Sequence, residues 1–377
     1  DKSSDTLFVS DLKLSGLYEN AYPNAAAPST VTVMGAELTV LPSAQADLAA
    51  FKVGDKVTLL LTTTGQVAGA VSPDVAKSNA VGVAEVKGTT ATIKLLDGIL
   101  TLEGQTTYSE AAAAKLNGCL VTVSSYKRDY LTLSKVNGKG ASTALNLTTN
   151  RMGTKELSAG ARFFEQVGNG RLVEIDRSDI TITSIPANKI TYVGYDWAGR
   201  VDKLVLNDVT GDRYDYGIIH YQPAGYQETP GNPDGNGEYK NGEISVTNGS
   251  FPKGMPPYVV GSVDGAKTNR MGGVAGSLDQ LDGKNRMAAF MPLNEATGIR
   301  RAQFDTDAML LTTNSMVIPI SDKVECYNKT TGDWFKPGED GDHKAALNLA
   351  LAFSDDITVY YDRSPEEGGK VRIVVVE

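Results

Sequence analysis

The sequence predicts a mainly β protein with short helices, organised as tandem small β-barrel modules of which the last is enlarged by an insertion. Three observations support this fold class. Val, Thr, Ile, Leu and Tyr alternate with period two over many short segments, as in half-buried strands. One hairpin pattern recurs along the 377 residues. A short Ala- and Leu-rich segment precedes several of these hairpins.

Four segments have the pattern of a strand, a short polar turn and a second strand. β-branched and aromatic residues favour a pleated, half-buried surface, and Gly or Asp stands where each chain must reverse. The predicted hairpins are KVTLLLTTTGQVAGAV (56–71), CLVTVSSYKRDYLTLSKV (119–136), KITYVGYDWAGRVDKLVL (189–206) and DITVYYDRSPEEGGKVRIVVV (356–376).

The hairpins form a repeat, because each opens on Val or Ile followed by Thr. These dipeptides are Val57-Thr58, Val121-Thr122, Ile190-Thr191 and Ile357-Thr358, at intervals of 64, 69 and 167 residues. The first two intervals indicate a module of roughly 65–70 residues, and the third indicates a large insertion.

Short helices are predicted over 44–55, 109–118 and 342–356, each begun by a polar residue and ended by Gly or Asp. The second module therefore has three strands, a helix and two strands, which is the order of the five-stranded OB-fold barrel. The first module has the same order if 6–19 is its first strand. In the third module, 172–183 replaces the helix.

These patterns predict four β modules. Their boundaries are 1–75, 76–140 (OB-like), 141–210 and 211–377. The fourth contains YQPAGYQETPGNPDGNGEYKNGE (221–243), whose density of Gly, Pro and Asn predicts a long loop or a hairpin tip.

Charge and composition limit the function classes. The net charge is −9, with 36 basic and 45 acidic residues, which disfavours binding to a nucleic-acid backbone. No apolar run approaches the roughly 18 residues of a membrane-spanning helix. Cys119 and Cys326 could form one disulfide, but burial of each as a small apolar residue is favoured.

Several segments resemble the long β-rich regions of S-layer-homology-domain surface proteins from anaerobic Gram-positive gut bacteria (Firmicutes). The resemblance covers nearly the whole chain, and its motifs are hairpins and turns. The segments that carry it are YENAYPNAAAPSTVTVMG, FKVGDKVTLLLTTTGQVAGAVSP, RFFEQVGNG, IPANKITYVGYDWAGRVDKLVLNDVTGDRYDYG, DKVECYNKTTGDWF and FSDDITVYYDRSPEEGGKVRIVVVE.

The resemblance implies a secreted, extracellular protein at the bacterial cell surface or cell wall. In that family the S-layer-homology repeats bind secondary cell-wall polymers. Those repeats are not visible in this sequence, so the resemblance implies anchoring only through another part of a parent protein. The chain begins at Asp1 without an initiator Met, which suggests a processed or excised fragment. No catalytic residue and no cofactor carries over.

Candidates for reactive or metal-binding residues are few. His220 and His343 stand alone, and both are predicted to be surface or loop residues. Ser124 and Lys127 have the Ser-x-x-Lys spacing of penicillin-binding enzymes, but the partner motifs are absent and we interpret the match as coincidence. Gly272–Gly276 lacks the Lys and Ser/Thr of a phosphate-binding loop and is predicted to form a tight turn.

Calcium is the metal with the strongest candidate ligands. The loop at 232–243 places oxygen-bearing residues and a glycine at the EF-hand spacing, although Asn, Asp and Gly also dominate ordinary turns, which we favour. The residues concerned are Asn232, Asp234, Asn236, Gly237 and Glu243.

Two functions follow as hypotheses. The first is a non-enzymatic structural region of a cell-surface, S-layer-associated protein. The alternative is a carbohydrate-binding or adhesive module that uses exposed Tyr and Trp rings; Trp197 and Trp334 are the candidates, with core packing as the competing interpretation. No catalytic, cofactor-binding or metal-binding residue is assigned. Expected partners are cell-wall polymers, through a region outside this sequence, or other surface proteins and glycans. The lattice state is left open.

Overall fold

The computed structural model describes residues 10–76, 78, 80–136, 140–228, 237–281 and 283–377. The chain forms two compact units. Unit 1 comprises residues 1–145, 149–164 and 186–205, and unit 2 comprises 146–148, 165–185 and 206–377. The structure is mainly β with short helices, as the sequence predicts.

The first sheet of unit 1 has the strand order β3-β2-β1-β4-β5. A 3₁₀ turn over Pro42–Ala44 leads into helix α1 (Gln45–Leu48), which confirms the predicted helix. An isolated parallel bridge between Val40 and Val67 links the end of β3 to β5. The strands are β1 (Lys13–Tyr22), β2 (Thr30–Val33), β3 (Ala36–Thr39), β4 (Lys56–Leu61) and β5 (Val67–Val71). Residues 6–9 of the predicted first strand lie outside the described residues.

The second sheet of unit 1 closes into a barrel with the order β10-β8-β7-β6-β9, in which β8 and β10 are parallel. Helix α2 (Glu110–Ala114) stands between the third and fourth strands. This confirms the predicted order of three strands, a helix and two strands. The strands are β6 (Ala80–Lys87), β7 (Thr90–Leu95), β8 (Thr101–Thr106), β9 (Leu120–Lys127) and β10 (Tyr130–Lys135).

The third group of strands contains the predicted hairpin at 189–206, formed by β16 and β17. Where a helix is absent, Asp176 caps a 3₁₀ turn over Arg177–Asp179. The strands are β11 (Leu145–Asn146), β12 (Arg151–Met152), β13 (Lys155–Gln166), β14 (Val173–Ile175), β15 (Ser184–Ile185), β16 (Ile190–Tyr195) and β17 (Val201–Asn207). The order β12-β13-β17-β16 places the hairpin beside the long strand β13.

A second closed barrel lies in unit 2, with the order β18-β21-β22-β24-β23. Its parallel seam consists of one pair, Val259 on β22 opposite Arg286 on β24. The barrel strands are β18 (Asp215–Gln222), β21 (Gly242–Thr247), β22 (Tyr258–Val260), β23 (Met271–Leu281) and β24 (Lys284–Pro292), and β19 (Gly225–Glu228) and β20 (Gly237–Lys240) form a separate two-stranded sheet. Strands β19 and β20 pair as a hairpin within 221–243, so the hairpin-tip alternative describes this segment.

The prediction of a tight turn at Gly272–Gly276 is wrong, because these residues lie inside β23. Aromatic rings of neighbouring strands occupy the space that side chains at these positions would fill. A Cβ on Gly273 would lie 2.5 Å from the Tyr216 ring, and a Cβ on Gly276 would lie 2.6 Å from the Tyr258 ring. The missing side chains therefore make room for aromatic rings from adjacent strands.

The last sheet has the order β25-β30-β31-β28-β27-β26, with β28 and β31 parallel. Helix α3 (His343–Phe353) is capped by Asp342 and packs Leu347 and Leu351 into the core of this sheet. The strands are β25 (Asn294–Ile299), β26 (Phe304–Asp305), β27 (Leu310–Thr312), β28 (Val317–Asn328), β29 (Asp333–Phe335), β30 (Ile357–Tyr361) and β31 (Val371–Val376). The predicted helix and hairpin are both confirmed.

The same connectivity recurs in four of these sheets when the additional strands β26 and β29 of the last sheet are left out of the count, so that its first to fifth strands are β25, β27, β28, β30 and β31. The first strand pairs with the fourth, the fourth with the fifth, the fifth runs parallel to the third, and the third pairs with the second. In the first sheet the parallel seam is reduced to the Val40–Val67 bridge. Residues 211–377, predicted as one enlarged module, contain two sheets with this connectivity.

The repeated Val/Ile-Thr dipeptide occupies the fourth strand of its sheet at 57–58, 121–122 and 357–358. Three of the threonines donate a side-chain hydrogen bond to a backbone carbonyl oxygen of the same hairpin or of the segment that follows it, and Thr122 donates to that of Ser134 at 3.4 Å. Thr58 donates to the carbonyl oxygen of Ala76 at 2.7 Å, and Thr191, in the third group of strands, donates to that of Val205 at 3.2 Å. The repeat therefore marks a structural position.

Candidate functional site

The most highly connected polar group of unit 2 is Arg372 on β31, whose side chain is 1% exposed. Its guanidinium makes five hydrogen bonds. Nε and Nη2 donate to Asp362 Oδ2 at 2.9 and 2.7 Å, and Nη1 donates to Asp212 Oδ1 at 2.5 Å and to Ser321 Oγ at 3.1 Å. Nη2 also donates to the carbonyl oxygen of Thr210 at 2.5 Å. All five N–H donors of the side chain are thus satisfied.

Local geometry allows this close approach of charges. The Arg372 guanidinium lies over the Tyr216 ring at 5.0 Å from its centre, and the Tyr216 hydroxyl donates to the carbonyl oxygen of Gly211 at 2.9 Å. Gly211 has a φ of +73°, and a Cβ there would lie 2.3 Å from Asp362 Oδ2. Only glycine fits this left-handed, crowded position.

Asp212 also forms an ion pair with Lys370, whose Nζ donates a hydrogen bond to Asp212 Oδ2 at 2.7 Å. Burial would raise the pKa of Asp212, but Arg372 and Lys370 outweigh it and hold the pKa below its usual value. Burial raises the pKa of the Tyr216 hydroxyl well above its usual value. We call the group formed by Arg372, Asp362, Asp212 and Lys370 the ion network. Its charges are paired, which is the condition under which buried charges are tolerated.

A further carboxylate, the buried Glu165, contacts the segment that contributes Thr210 and Asp212 to these contacts. Glu165 accepts hydrogen bonds from the backbone N–H groups of Val209 and Thr210 at 2.5 and 2.7 Å and from the Thr210 hydroxyl. Burial raises the pKa of Glu165 despite these bonds. Arg363 donates to Asp208 and to the carbonyl oxygen of Val209. These contacts fix the segment 208–212.

A cleft of about 340 Å³ opens next to this segment, and all its lining residues belong to unit 2. The lining is largely polar and includes Arg171, Arg213, Tyr214, Asp215, Tyr258, Ser277, Asn285 and Lys323. A smaller cavity of about 100 Å³ shares Asp212, Tyr214, Asp215 and Lys323 with the cleft and extends towards Glu325 and His343.

Asp215 lines both spaces, as Asp212 does, but it lies outside the ion network. Burial raises its pKa, while Arg213 and Lys323 act in the opposite direction. Burial likewise raises the pKa of Tyr258 to about 12. In the part of the chain that the structure describes, no group donates a hydrogen bond to the Asp215 carboxylate. Its acceptor oxygens therefore remain available on the cleft side.

Glu325 and His343 line the smaller cavity. Glu325 Oε2 accepts a hydrogen bond from the backbone N–H of Gly249 at 2.9 Å, and burial raises the pKa of Glu325 to about 7. His343 Nδ1 lies 3.0 Å from the carbonyl oxygen of Val324 and 4.0 Å from Glu325 Oε1. His343 is half-buried at the start of α3, which corrects its prediction as a surface or loop residue.

The other sequence candidates have mostly structural roles. His220 is exposed on β18 with Nε2 at 3.1 Å from the Thr247 hydroxyl. Cys119 and Cys326 are buried thiols that form no disulfide, and burial raises the pKa of Cys326. Ser124 and Lys127 lie on the last part of β9, a strand, as the interpretation of coincidence expects.

The two tryptophans differ in accessibility. Trp197 is 61% exposed at the turn between β16 and β17. Trp334 on β29 is half-buried and packs against Tyr327 with ring centres 4.9 Å apart. Core packing therefore describes Trp334, and only Trp197 presents a free aromatic surface.

Most of the calcium candidate lies outside the described residues. Asn232, Asp234 and Asn236 lie outside the described residues. Glu243, the last residue of the pattern, accepts a hydrogen bond from Lys284 Nζ at 2.5 Å. Across the described ranges, no three His, Cys, Asp or Glu residues group as metal ligands. Within the same ranges, no helix combines the length and apolar character needed to cross a bilayer.

No protein-family model matches the chain, and comparisons with curated proteins and with solved structures find no match either.

Sequence reasoning missed both the ion network and the cleft. One signal was present: Lys370 and Arg372 alternate with Val371 and Ile373 at the start of an otherwise apolar strand. Charged residues that enter such a strand must find partners when the strand is buried. The partner Asp212 is 160 residues away along the chain, so no local pattern identifies it.

Proposed function

We propose that this chain is a non-enzymatic structural region of a bacterial cell-surface, S-layer-associated protein. The recurrence of one strand connectivity in four sheets supports this proposal. Repeated small β modules are typical of proteins with a structural role, which requires no catalytic site. The ion network is consistent with the same role, because its donors and carboxylates satisfy one another and leave no free nucleophile or base there.

Surface exposure on living cells tests the location. Antibodies raised against the purified chain are applied to intact and permeabilised cells of the source bacterium. We expect equal labelling of both preparations, and removal of the label when intact cells are treated with protease. An antibody against a cytosolic protein provides the control for leakage. Labelling that appears only after permeabilisation contradicts the proposal.

Carbohydrate binding or adhesion is the second candidate function, and the exposed ring of Trp197 favours it. Tyr195, on the same hairpin, is 46% exposed, but the Lys155 ammonium lies over its ring at 4.7 Å. Trp197 is therefore the ring best placed to stack on a sugar.

A glycan array tests this candidate with the variants Trp197→Ala and Tyr126→Ala. Tyr126 is 60% exposed on β9 of the same unit and provides a matched control. We expect Trp197→Ala to abolish a saturable signal that Tyr126→Ala preserves. A signal that survives in Trp197→Ala rejects this ring as the binding surface.

A further inference from the structure

The lining of the cleft of unit 2 includes three cationic side chains and two carboxylates, Asp212 and Asp215. Arg171 and Lys323 are exposed, and Arg213 is half-buried. Among the residues that the structure describes, none of these three cations has an acidic partner within 4.0 Å. Asp212, the other acid in the lining, is already neutralised by Lys370 and Arg372. The cleft is thus locally cationic on a chain whose net charge is −9.

The Asp215 carboxylate, in contrast to the cations, requires a hydrogen-bond donor. It is partly buried, its pKa is raised by burial, and its oxygens accept no hydrogen bond from the described residues. A desolvated acceptor of this kind gains stability from a donor supplied by water or a ligand. Sugar hydroxyl groups are such donors, while the cationic side chains that line the cleft favour an anion.

An aromatic and an amide side chain complete the lining where β22 and β24 pair. The single parallel pair Val259–Arg286 closes the barrel, and the preceding residues on the two strands, Tyr258 and Asn285, both line the cleft. Gly276 lies against the Tyr258 ring, so the ring is held in place by β23. A fixed ring beside an exposed amide suits a flat, hydroxylated ligand.

We propose that this cleft binds a uronic acid residue of an anionic glycan. Lys323 and Arg171 bind the sugar carboxylate, Asp215 accepts hydrogen bonds from ring hydroxyl groups, and Tyr258 contacts the sugar ring. The volume of about 340 Å³ lies at the lower end of the range for small-ligand pockets, roughly 300–1,000 Å³, and fits one or two sugar units. This inference goes beyond the structural role and gives the glycan-binding alternative a site distinct from Trp197.

Isothermal titration of the full chain with D-galacturonate, D-galactose and acetate tests the chemistry. Galactose has the same ring hydroxyl arrangement without the carboxylate, and acetate has the carboxylate without the ring. We expect galacturonate to bind at least about tenfold more tightly than either, since a charge-assisted contact and the hydroxyl contacts both contribute. Equal affinity for galactose, equal affinity for acetate, or no binding of galacturonate overturns the proposal.

Variants assign the binding to the cleft. Lys323→Ala should weaken galacturonate binding about tenfold, whereas Lys336→Ala, at an exposed lysine outside the cleft lining, should leave it unchanged. Asp215→Asn should reduce galacturonate affinity by severalfold, because it replaces a charged acceptor with a weaker one. Lys323 is exposed, so its variant keeps the test valid even if Asp215→Asn does not fold. Equal weakening by Lys323→Ala and Lys336→Ala overturns the assignment. The surface-labelling result is independent of this outcome, so failure of either proposal is recognised separately.

Discussion

Replacement of Arg372 by Met tests whether the ion network stabilises unit 2. Met has a similar length but no donors, so all five hydrogen bonds of the guanidinium disappear. The Asp362 side chain, which is fully buried, then loses the cation paired with its Oδ2. The substitution therefore removes one member of a buried pair and leaves the other without its partner.

The expected cost follows from the groups that remain. Loss of one partner of a buried ion pair typically costs about 3–5 kcal/mol. Asp362 Oδ1 keeps hydrogen bonds from the backbone N–H groups of Lys370 and Arg363, at 2.8 and 2.9 Å, and Asp212 keeps the Lys370 ammonium. We therefore expect a value near the lower limit, about 3 kcal/mol of unfolding free energy. With a urea slope of about 2–3 kcal/mol per M, the midpoint should fall by roughly 1–1.5 M.

Tryptophan fluorescence provides an assay that is specific to unit 2. Trp334 packs against the hydrophobic cluster that contains Tyr216 and Ile373, the residue that follows Arg372 on β31. Trp197 belongs to unit 1 and is exposed, so a Trp197→Phe background removes its signal with little structural cost. Urea unfolding in that background then reports the unit that contains Arg372, which matters because a chain with two units need not unfold in one step.

Arg300→Met is the matched control. Its side chain is 62% exposed, and its nearest carboxylate oxygen, on Asp355, is 3.8 Å away. Exposed pairs of this kind contribute about 0–1 kcal/mol. Arg372→Lys, which keeps the charge but offers three donors in place of five, should lie between the control and Arg372→Met. Equal midpoints for Arg372→Met and Arg300→Met would refute the stabilising role of the ion network.

Three further predictions concern single positions in unit 2. The pKa of Glu325 is about 7 in the folded chain against an ordinary value near 4.5, so the folded state binds this proton more tightly than the unfolded state does. The protonated Glu325 therefore stabilises the fold fully below about pH 4.5, and this stabilisation is lost as the pH rises through 7. Glu325→Gln should flatten that decline in urea midpoints between pH 5 and 8, and an unchanged decline would contradict the assignment. Gly211→Ala should lower the free energy of unfolding by at least about 2 kcal/mol, because φ is +73° and the new Cβ meets Asp362 and Arg372. Gly265→Ala, at a similar φ but in open space, should lower it less, and equal losses would contradict the crowding argument. Asp342→Ala should destabilise α3 by about 1 kcal/mol, because the side chain accepts from the backbone N–H groups of Lys344 and Ala345, and Asp342→Asn should retain most of this stability in the same urea assay.

The hairpins and helices were predictable because their signals are local. Alternation with period two places alternate residues on one face of a strand, and Asp342 marks the start of α3 directly in the sequence. The four hairpins and three short helices are accordingly confirmed. The repeated Val/Ile-Thr dipeptide also indicated a recurring structural position.

The second barrel could not be predicted in the same way. Its fourth strand begins Met271-Gly272-Gly273, with glycines where the other sheets have Val or Ile followed by Thr. The space is filled by Tyr216 and by Ile219 from β18, which is distant in sequence. Period-two patterns describe a residue and its own strand, and they contain no information about side chains that enter from a neighbour. The glycines therefore suggested a turn, although they form a strand.

The ion network and the cleft are parts of one arrangement in unit 2. Asp212 belongs to both, and the next three residues, Arg213, Tyr214 and Asp215, line the cleft. Pairing of Asp212 with Arg372 and Lys370 therefore fixes the backbone from which those three side chains project. A binding site gains affinity when its groups are held in place before the ligand arrives, because less conformational entropy is lost on binding. The buried charges that stabilise the sheet thus also orient the groups that we assign to a uronic acid.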